Sequence, residues 1–150
     1  MSTSTYTPSA PATRRTLVRR DRVARVLLML VGVGAGVATV GAIKTVSDAE
    51  TATRLVETWR LLGLALFTGL FVLLAYRPRH YPGVWELVIA NKFALAGFGI
   101  AYGAGTKDAD LILAIDGAIA VVLLVAYVLS RGWSAWAGVR SPARLALSEE

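Results

Sequence analysis

Four long apolar blocks, each of about 20 residues, constrain this chain more than any other feature of its sequence. A helix of about 20 residues rises ~30 Å, which is the thickness of the hydrocarbon core of a bilayer. A helix in a water-soluble domain needs only one apolar stripe, so a water-soluble chain does not need several blocks that are apolar all round. The sequence therefore predicts an all-α integral membrane protein, a four-helix bundle of up-down-up-down topology. Its spans are predicted at about 23–43, 58–76, 84–103 and 110–130.

The segments that flank the apolar blocks are polar and short. Residues 1–22 hold Ser, Thr, Pro and Ala followed by arginines, and they predict a disordered basic cytoplasmic arm. Residues 23–131 are predicted to form the transmembrane domain, and residues 132–150 a cytoplasmic tail.

The distribution of positive charge predicts the orientation of the chain, because cytoplasmic loops are enriched in Lys and Arg. The arm, the loop at 77–80 and the tail hold most of the arginines, whereas the loops at 44–57 and 105–110 are mixed or acidic. We therefore expect a multi-pass protein of a bacterial cell (inner) membrane with both termini in the cytoplasm (N-in/C-in). The arm is expected to bind anionic lipid headgroups, and not nucleic acid, because an apolar span follows it directly. The basic residues of the arm and of the adjoining start of the first span are Arg14, Arg15, Arg19, Arg20, Arg22 and Arg25.

Two glycine pairs have the spacing Gly-x-x-x-Gly, namely Gly32 with Gly36 and Gly99 with Gly103. Such pairs let helix backbones approach closely in a bilayer, where no hydrophobic drive holds helices together. We expect these glycines to pack inside the bundle, and a homodimer face is the alternative. A dinucleotide-binding loop is excluded, because its glycines would have to follow a strand.

Polar and ionisable residues inside the spans are the candidate functional residues, because charge in hydrocarbon costs at least ~2.5–3.5 kcal/mol. They are Glu86, Asn91, Lys92 and Asp116. Glu86 lies near the inner boundary, where it is expected to reach lipid headgroups or the loop that holds Arg77.

Lys92 and Asp116 are predicted to form an ion pair near the membrane midplane. Lys92 lies about 13 residues, or ~20 Å, below the turn between the third and fourth spans, and Asp116 about 8 residues, or ~12 Å, below it. A lysine side chain covers most of the remaining difference in depth. The pair either fixes the register of the two helices or binds a polar ligand or relays protons, and a third possibility is that the two residues face different partners.

No set of side chains in the sequence predicts a catalytic, metal or cofactor site. The chain has no cysteine, which excludes thiolate metal sites and iron–sulfur clusters. Its single histidine, His80, lies in the inner loop, so it belongs to no Ser/His/Asp triad and to no paired-histidine haem site inside the bundle.

Two short segments resemble the DoxX-like family of small bacterial membrane proteins. The end of the first span, Gly-Val-Ala-Thr-Val-Gly-Ala-Ile-Lys at 36–44, is similar to the glycine-then-lysine ending of that family. Trp85-Glu86-Leu87 resembles its glutamate near the start of a middle helix. The resemblance covers the four spans and implies a four-helix bundle that associates with membrane redox or detoxification proteins. It implies no defined catalytic residues.

Three functions fit these observations. The first is an accessory or structural protein that binds a membrane partner or forms a homo-oligomer. The second is a component of a transporter or channel that uses Lys92 and Asp116. The third is an intramembrane enzyme that acts on a lipid or hydrophobic metabolite, although no motif specifies one.

Overall fold

The computed structural model describes residues 11–103 and 105–140, and it is entirely helical over these residues. Four long helices dominate, and each is long and apolar enough to cross a membrane, so the predicted all-α class with four membrane-length helices is confirmed. They are α1 (Pro11–Asp48), α2 (Arg54–Tyr76), α3 (Val84–Tyr102) and α4 (Ala109–Ser130). A 3₁₀ turn, Gly132–Trp136, and a short helix α5, Ala137–Arg140, follow α4.

Helix α1 is longer at both ends than the span predicted at 23–43. Its described part runs from Pro11, so residues 11–22 are helical and differ from the predicted disorder, and the predicted disorder of residues 1–10 lies outside the described residues. Lengthening an existing helix adds one hydrogen bond per residue without a new nucleation cost. At the other end, Lys44 Nζ lies 2.6 Å from Asp48 Oδ2 one turn later, which supports the last turn.

The helices pack as two pairs, α1 with α2 and α3 with α4, and α1 also packs on α4. Within the first pair Gly32 lies against Phe71 and Gly36 lies against Thr68, so the two helices of this pair are antiparallel. Helices α2 and α3 contact each other only sparingly. The spatial order is therefore α2, α1, α4, α3, with an opening between α2 and α3.

The buried core lies at one end of the bundle, where all four helices converge. Trp85, Phe71, Leu28, Leu74 and Leu123 are among its largest fully buried side chains. Farther along the first pair, the hydroxyls of Thr39 and Thr68 lie 3.2 Å apart, and either can donate to the other. Each hydroxyl also lies within donating distance of a carbonyl one turn earlier in its own helix. The first pair therefore holds together by packing at one end and by a polar contact farther along.

Many large apolar side chains point away from the bundle. Leu30, Val37, Leu66, Ile100 and Val121 are all more than half exposed. A water-soluble monomer rarely shows so continuous an apolar surface, whereas a lipid bilayer covers it without cost. The exposure of these residues fits the membrane-spanning length of the helices.

Candidate functional site

The predicted ion pair is present between α3 and α4. Lys92 Nζ lies 2.6 Å from Asp116 Oδ1, and the two side chains are 9% and 13% exposed. The short connection between α3 and α4 reverses the chain, so that these residues face each other across the pair. The ring of Phe67 on α2 covers the ammonium group, with Nζ 4.4 Å from the ring centroid. Three helices therefore contribute to one buried charge cluster.

The geometry of this cluster leaves little of either charge available to a ligand. Opposite charges at hydrogen-bond distance cancel most of each other's field, and the aromatic face stabilises the cation further. Breaking such a pair by removing one partner strands an uncompensated charge in a low-dielectric environment. The arrangement can fix the depth of α3 against α4 and hold α2 beside them.

A shallow groove separates α2 from α3 next to this cluster. Its volume is about 500 Å³, and its wall is almost wholly apolar. The lining residues are Phe67, Leu70, Leu87, Val88, Ala90, Asn91 and Ala94. Asn91 is the polar exception: it is exposed and makes no hydrogen bond within the described part of the chain. Because Asn91 adjoins Lys92, its amide lies at a similar depth in the bundle.

The side-chain hydrogen bonds of Glu86 do not involve Arg77 or Arg79, and its expected contact with lipid headgroups stays a prediction. Its Oε1 instead accepts hydrogen bonds from the Tyr127 hydroxyl at 2.9 Å and from the Trp136 indole N–H at 3.1 Å. Tyr127 also meets Trp85 and Trp133 edge to face, with ring centroids 5.6 and 5.7 Å away. Glu86 thus joins α3 to α4 and to the 3₁₀ turn, so part of the predicted tail packs on the bundle.

Arg79 is held by partners other than Glu86. Its terminal nitrogen lies 2.6 Å from Asp21 Oδ1 on α1, and its Nε–H donates to the Ser130 carbonyl at 2.7 Å. The adjoining Pro78 carbonyl accepts from the Trp85 indole at 2.8 Å. The loop between α2 and α3 is therefore tied to α1, α3 and α4.

The four predicted packing glycines differ in their surroundings. A Cβ at Gly32 would lie 3.6 Å from Phe71 Cβ, and one at Gly36 would lie 3.6 Å from Thr68 Cγ2, so both face α2. A Cβ at Gly99 would lie only 2.9 Å from the carbonyl oxygen of Ala109, so Gly99 packs inside the α3–α4 pair.

Gly103 does not pack against another helix among the described residues, contrary to the prediction that it packs inside the bundle. Open space surrounds its Cβ position, and its φ of +70° ends α3. A left-handed φ at a helix end favours glycine because no Cβ clashes with the preceding turn.

Several contacts at the site could not be read from spacing. Phe67, Tyr127 and Trp136 were not predicted as partners of Lys92 or Glu86. An aromatic residue with a polar tip near an intramembrane carboxylate is nevertheless a reasonable donor to look for. Within the described residues, no group of three or more His, Asp and Glu side chains lies close enough to hold a metal ion. Comparison with protein-family models, with curated proteins and with solved structures found no match to this chain.

Proposed function

We propose that this chain is an accessory protein of a bacterial inner membrane that binds another membrane protein through its α2–α3 groove. In this proposal the four helices run up-down-up-down and both termini lie in the cytoplasm. The arginines at positions 19, 20, 22 and 25 of α1, together with the loop at 77–80, support that orientation. The same arginines are suited to the anionic headgroups of the cytoplasmic leaflet.

The observation that carries the proposal is the amide of Asn91, which lies in an apolar groove and has no hydrogen bond among the described residues. An amide that faces hydrocarbon without a hydrogen-bond partner is unfavourable, and polar side chains in membranes usually bond across helices. Ala90 and Ala94 lie beside Asn91 and are small, so a neighbouring helix can approach α3 closely. The occupant we propose is a transmembrane helix of a partner protein that presents a hydrogen-bonding side chain to Asn91.

The closed geometry of Lys92 and Asp116 supports a structural role for that pair. Each charge has its partner at 2.6 Å, and neither side chain is well exposed. The resemblance to DoxX-like proteins points in the same direction, because it implies association with membrane redox or detoxification proteins. The partner class we propose is therefore a membrane oxidoreductase or detoxification enzyme.

One contact favours transport as a second candidate. Phe67 forms part of the groove wall and also covers the Lys92 ammonium group. A rotation of that ring would connect the groove to the ion pair. A proton flux in proteoliposomes that is lost in Lys92→Met, with that variant still folded by tryptophan fluorescence, and retained in Phe67→Leu would support this second function.

The accessory function is tested by affinity purification of the tagged full-length chain from native membranes, followed by mass spectrometry. Three chains are compared: wild type, Ala94→Leu in the groove and Ala118→Leu on α4. Ala118 is exposed and lies outside the groove, so it is a matched control for added bulk on a lipid-facing helix.

The proposal predicts a stoichiometric membrane protein that co-purifies with wild type and with Ala118→Leu but is lost with Ala94→Leu. Equal recovery with all three chains would show that the groove is not the binding surface. Recovery of the chain alone in every case would remove the accessory function. A homo-oligomer that depends on Ala94 would replace the partner with a second copy.

A further inference from the structure

A second cavity, of about 330 Å³, lies at the end of the bundle opposite the α3–α4 turn. It is formed by the first part of α1, the loop after α2 and the turn after α4. Its lining residues are Leu17, Val18, Asp21, Arg79, Arg131 and Ser134. The cavity is therefore charged on one side and apolar on the other.

The charged side carries one net positive charge, because two arginines face one aspartate. Arg79 is paired, with Asp21 Oδ1 at 2.6 Å and the Ser130 carbonyl at 2.7 Å. The guanidinium of Arg131 has no ion pair or hydrogen bond within the described residues. Arg131 therefore supplies a free cation to a cavity in which the other two charges already cancel.

Two backbone features place Arg131 and Ser134 on the same wall. Arg131 has φ 55° and ψ 47°, a left-handed conformation that ends α4, and its carbonyl accepts from the Ser134 N–H at 2.9 Å. The Ser134 hydroxyl is buried and has no hydrogen-bond partner among the described residues. A buried hydroxyl without a partner is uncommon and indicates a group that an additional acceptor would satisfy.

The apolar side consists of Leu17 and Val18 on the part of α1 that precedes the predicted span. They are 43% and 56% exposed, on a turn that also carries Arg19 and Arg20. Apolar side chains interleaved with arginines at the end of a membrane helix suit the boundary between acyl chains and headgroups.

We propose that this cavity binds one anionic phospholipid through its phosphodiester group. Arg131 forms the main contact with the phosphate, Arg79 adds a second cation, and the Ser134 hydroxyl donates to a phosphate oxygen once its side chain turns into the cavity. The first part of an acyl chain lies along Leu17 and Val18. The single net positive charge of the cavity matches the single negative charge of a phosphodiester.

The apolar wall selects a lipid over a free phosphate ion, which would gain nothing from Leu17 and Val18. The proposal rests on the membrane placement given under Proposed function, and it names the lipid class that the cytoplasmic end would bind. It is independent of the α2–α3 groove.

The test is native mass spectrometry of the purified full-length chain, released from detergent in the presence of phosphatidylglycerol or phosphatidylcholine. The variants are Arg131→Gln, Arg131→Lys and Arg77→Gln. Arg77 lies in the same loop as Arg79 and stacks over Tyr76, and it does not line the cavity. Arg77→Gln is therefore the matched control for the loss of one positive charge at this end of the bundle.

Wild type is expected to retain one phosphatidylglycerol at a concentration at which phosphatidylcholine is not retained. Arg131→Gln should raise about tenfold the phosphatidylglycerol concentration required for retention of one lipid, as expected for loss of a charge-assisted contact. Arg77→Gln and Arg131→Lys should stay close to wild type.

Three results would overturn the proposal. Equal losses in Arg131→Gln and Arg77→Gln would indicate diffuse attraction without a site. Equal retention of the two lipids by wild type would remove the preference for a net anion. Displacement of the lipid by millimolar inorganic phosphate would assign the cavity to a soluble anion. Because the isolated chain is used, none of these results bears on partner capture through the groove.

Discussion

Lys92 Nζ and Asp116 Oδ1 lie 2.6 Å apart across α3 and α4, and the Phe67 ring on α2 lies 4.4 Å from the same ammonium group. One polar contact therefore involves three of the four long helices. Helices α2 and α3 have few other contacts with each other. The lysine thus sets both the register of the α3–α4 pair and the position of α2 beside the groove.

Charge exchange between Lys92 and Asp116 tests the structural role of the pair. Lys92→Ala and Asp116→Ala should each lower the free energy of unfolding in detergent by about 3–5 kcal/mol, because each leaves one charge buried without its partner. The double variant Lys92→Asp with Asp116→Lys should recover part of this loss. Recovery should be incomplete, because Phe67 would then face a carboxylate. A double variant no more stable than the single variants would contradict pairing.

Phe67→Leu tests the contribution of the aromatic ring. We expect a loss of about 1–2 kcal/mol in the wild-type background and a smaller loss in Lys92→Met, because the cation–π contact exists only with the ammonium group present. Phe93→Leu is the control, since Phe93 is 47% exposed on the same helix as Lys92. Equal losses from Phe67→Leu in both backgrounds would show that the ring only fills space. Thermal unfolding in detergent provides the measurement.

Gly99 and Gly97 provide a matched comparison on one helix. A Cβ at Gly99 would lie 2.9 Å from the Ala109 carbonyl oxygen, whereas nothing lies within 4 Å of a Cβ at Gly97. Gly99→Ala should therefore destabilise the chain by about 1–3 kcal/mol, and Gly97→Ala should change stability by no more than ~0.5 kcal/mol. Similar melting temperatures for the two variants would contradict close packing of α3 on α4.

Glu86 should matter as a hydrogen-bond acceptor more than as a charge. Glu86→Leu leaves the Tyr127 hydroxyl and the Trp136 indole without their acceptor, and we expect a loss of about 1–3 kcal/mol. Glu86→Gln keeps a carbonyl oxygen in place and should cost clearly less. Unfolding is followed by tryptophan fluorescence, which also reports the environment of Trp136. A Gln variant as unstable as the Leu variant would show that the negative charge is essential.

The sequence predicted the parts of this fold that depend on hydropathy and helical rise. Blocks of apolar residues located the four spans, because the length needed to cross a bilayer is fixed by the rise per residue. The same rise placed Lys92 and Asp116 at compatible depths, so their contact was predictable once a tight α3–α4 turn was assumed.

Other features depend on side-chain directions that spacing does not give. Phe67 faces Lys92 because of the way three helices pack together, which residue spacing alone does not give. The two hydrogen-bond donors to Glu86, Tyr127 and Trp136, lie 41 and 50 positions later in the chain, so a local sequence pattern does not predict them. The helical extension at 11–22 was missed because its composition suggested disorder, whereas continuity with the rest of α1 favours helix.

Crosslinking from within the α2–α3 groove shows whether this groove holds a helix of a partner protein. The chain has no native cysteine, so Ala94→Cys and Ala118→Cys each introduce a single thiol. Each variant is labelled in native membranes with a thiol-reactive photocrosslinker. We expect one discrete heavier product from position 94, weaker when Asn91 is replaced by Leu, and no such product from position 118. Identical products from both positions, or no protein product from position 94, would contradict the proposal.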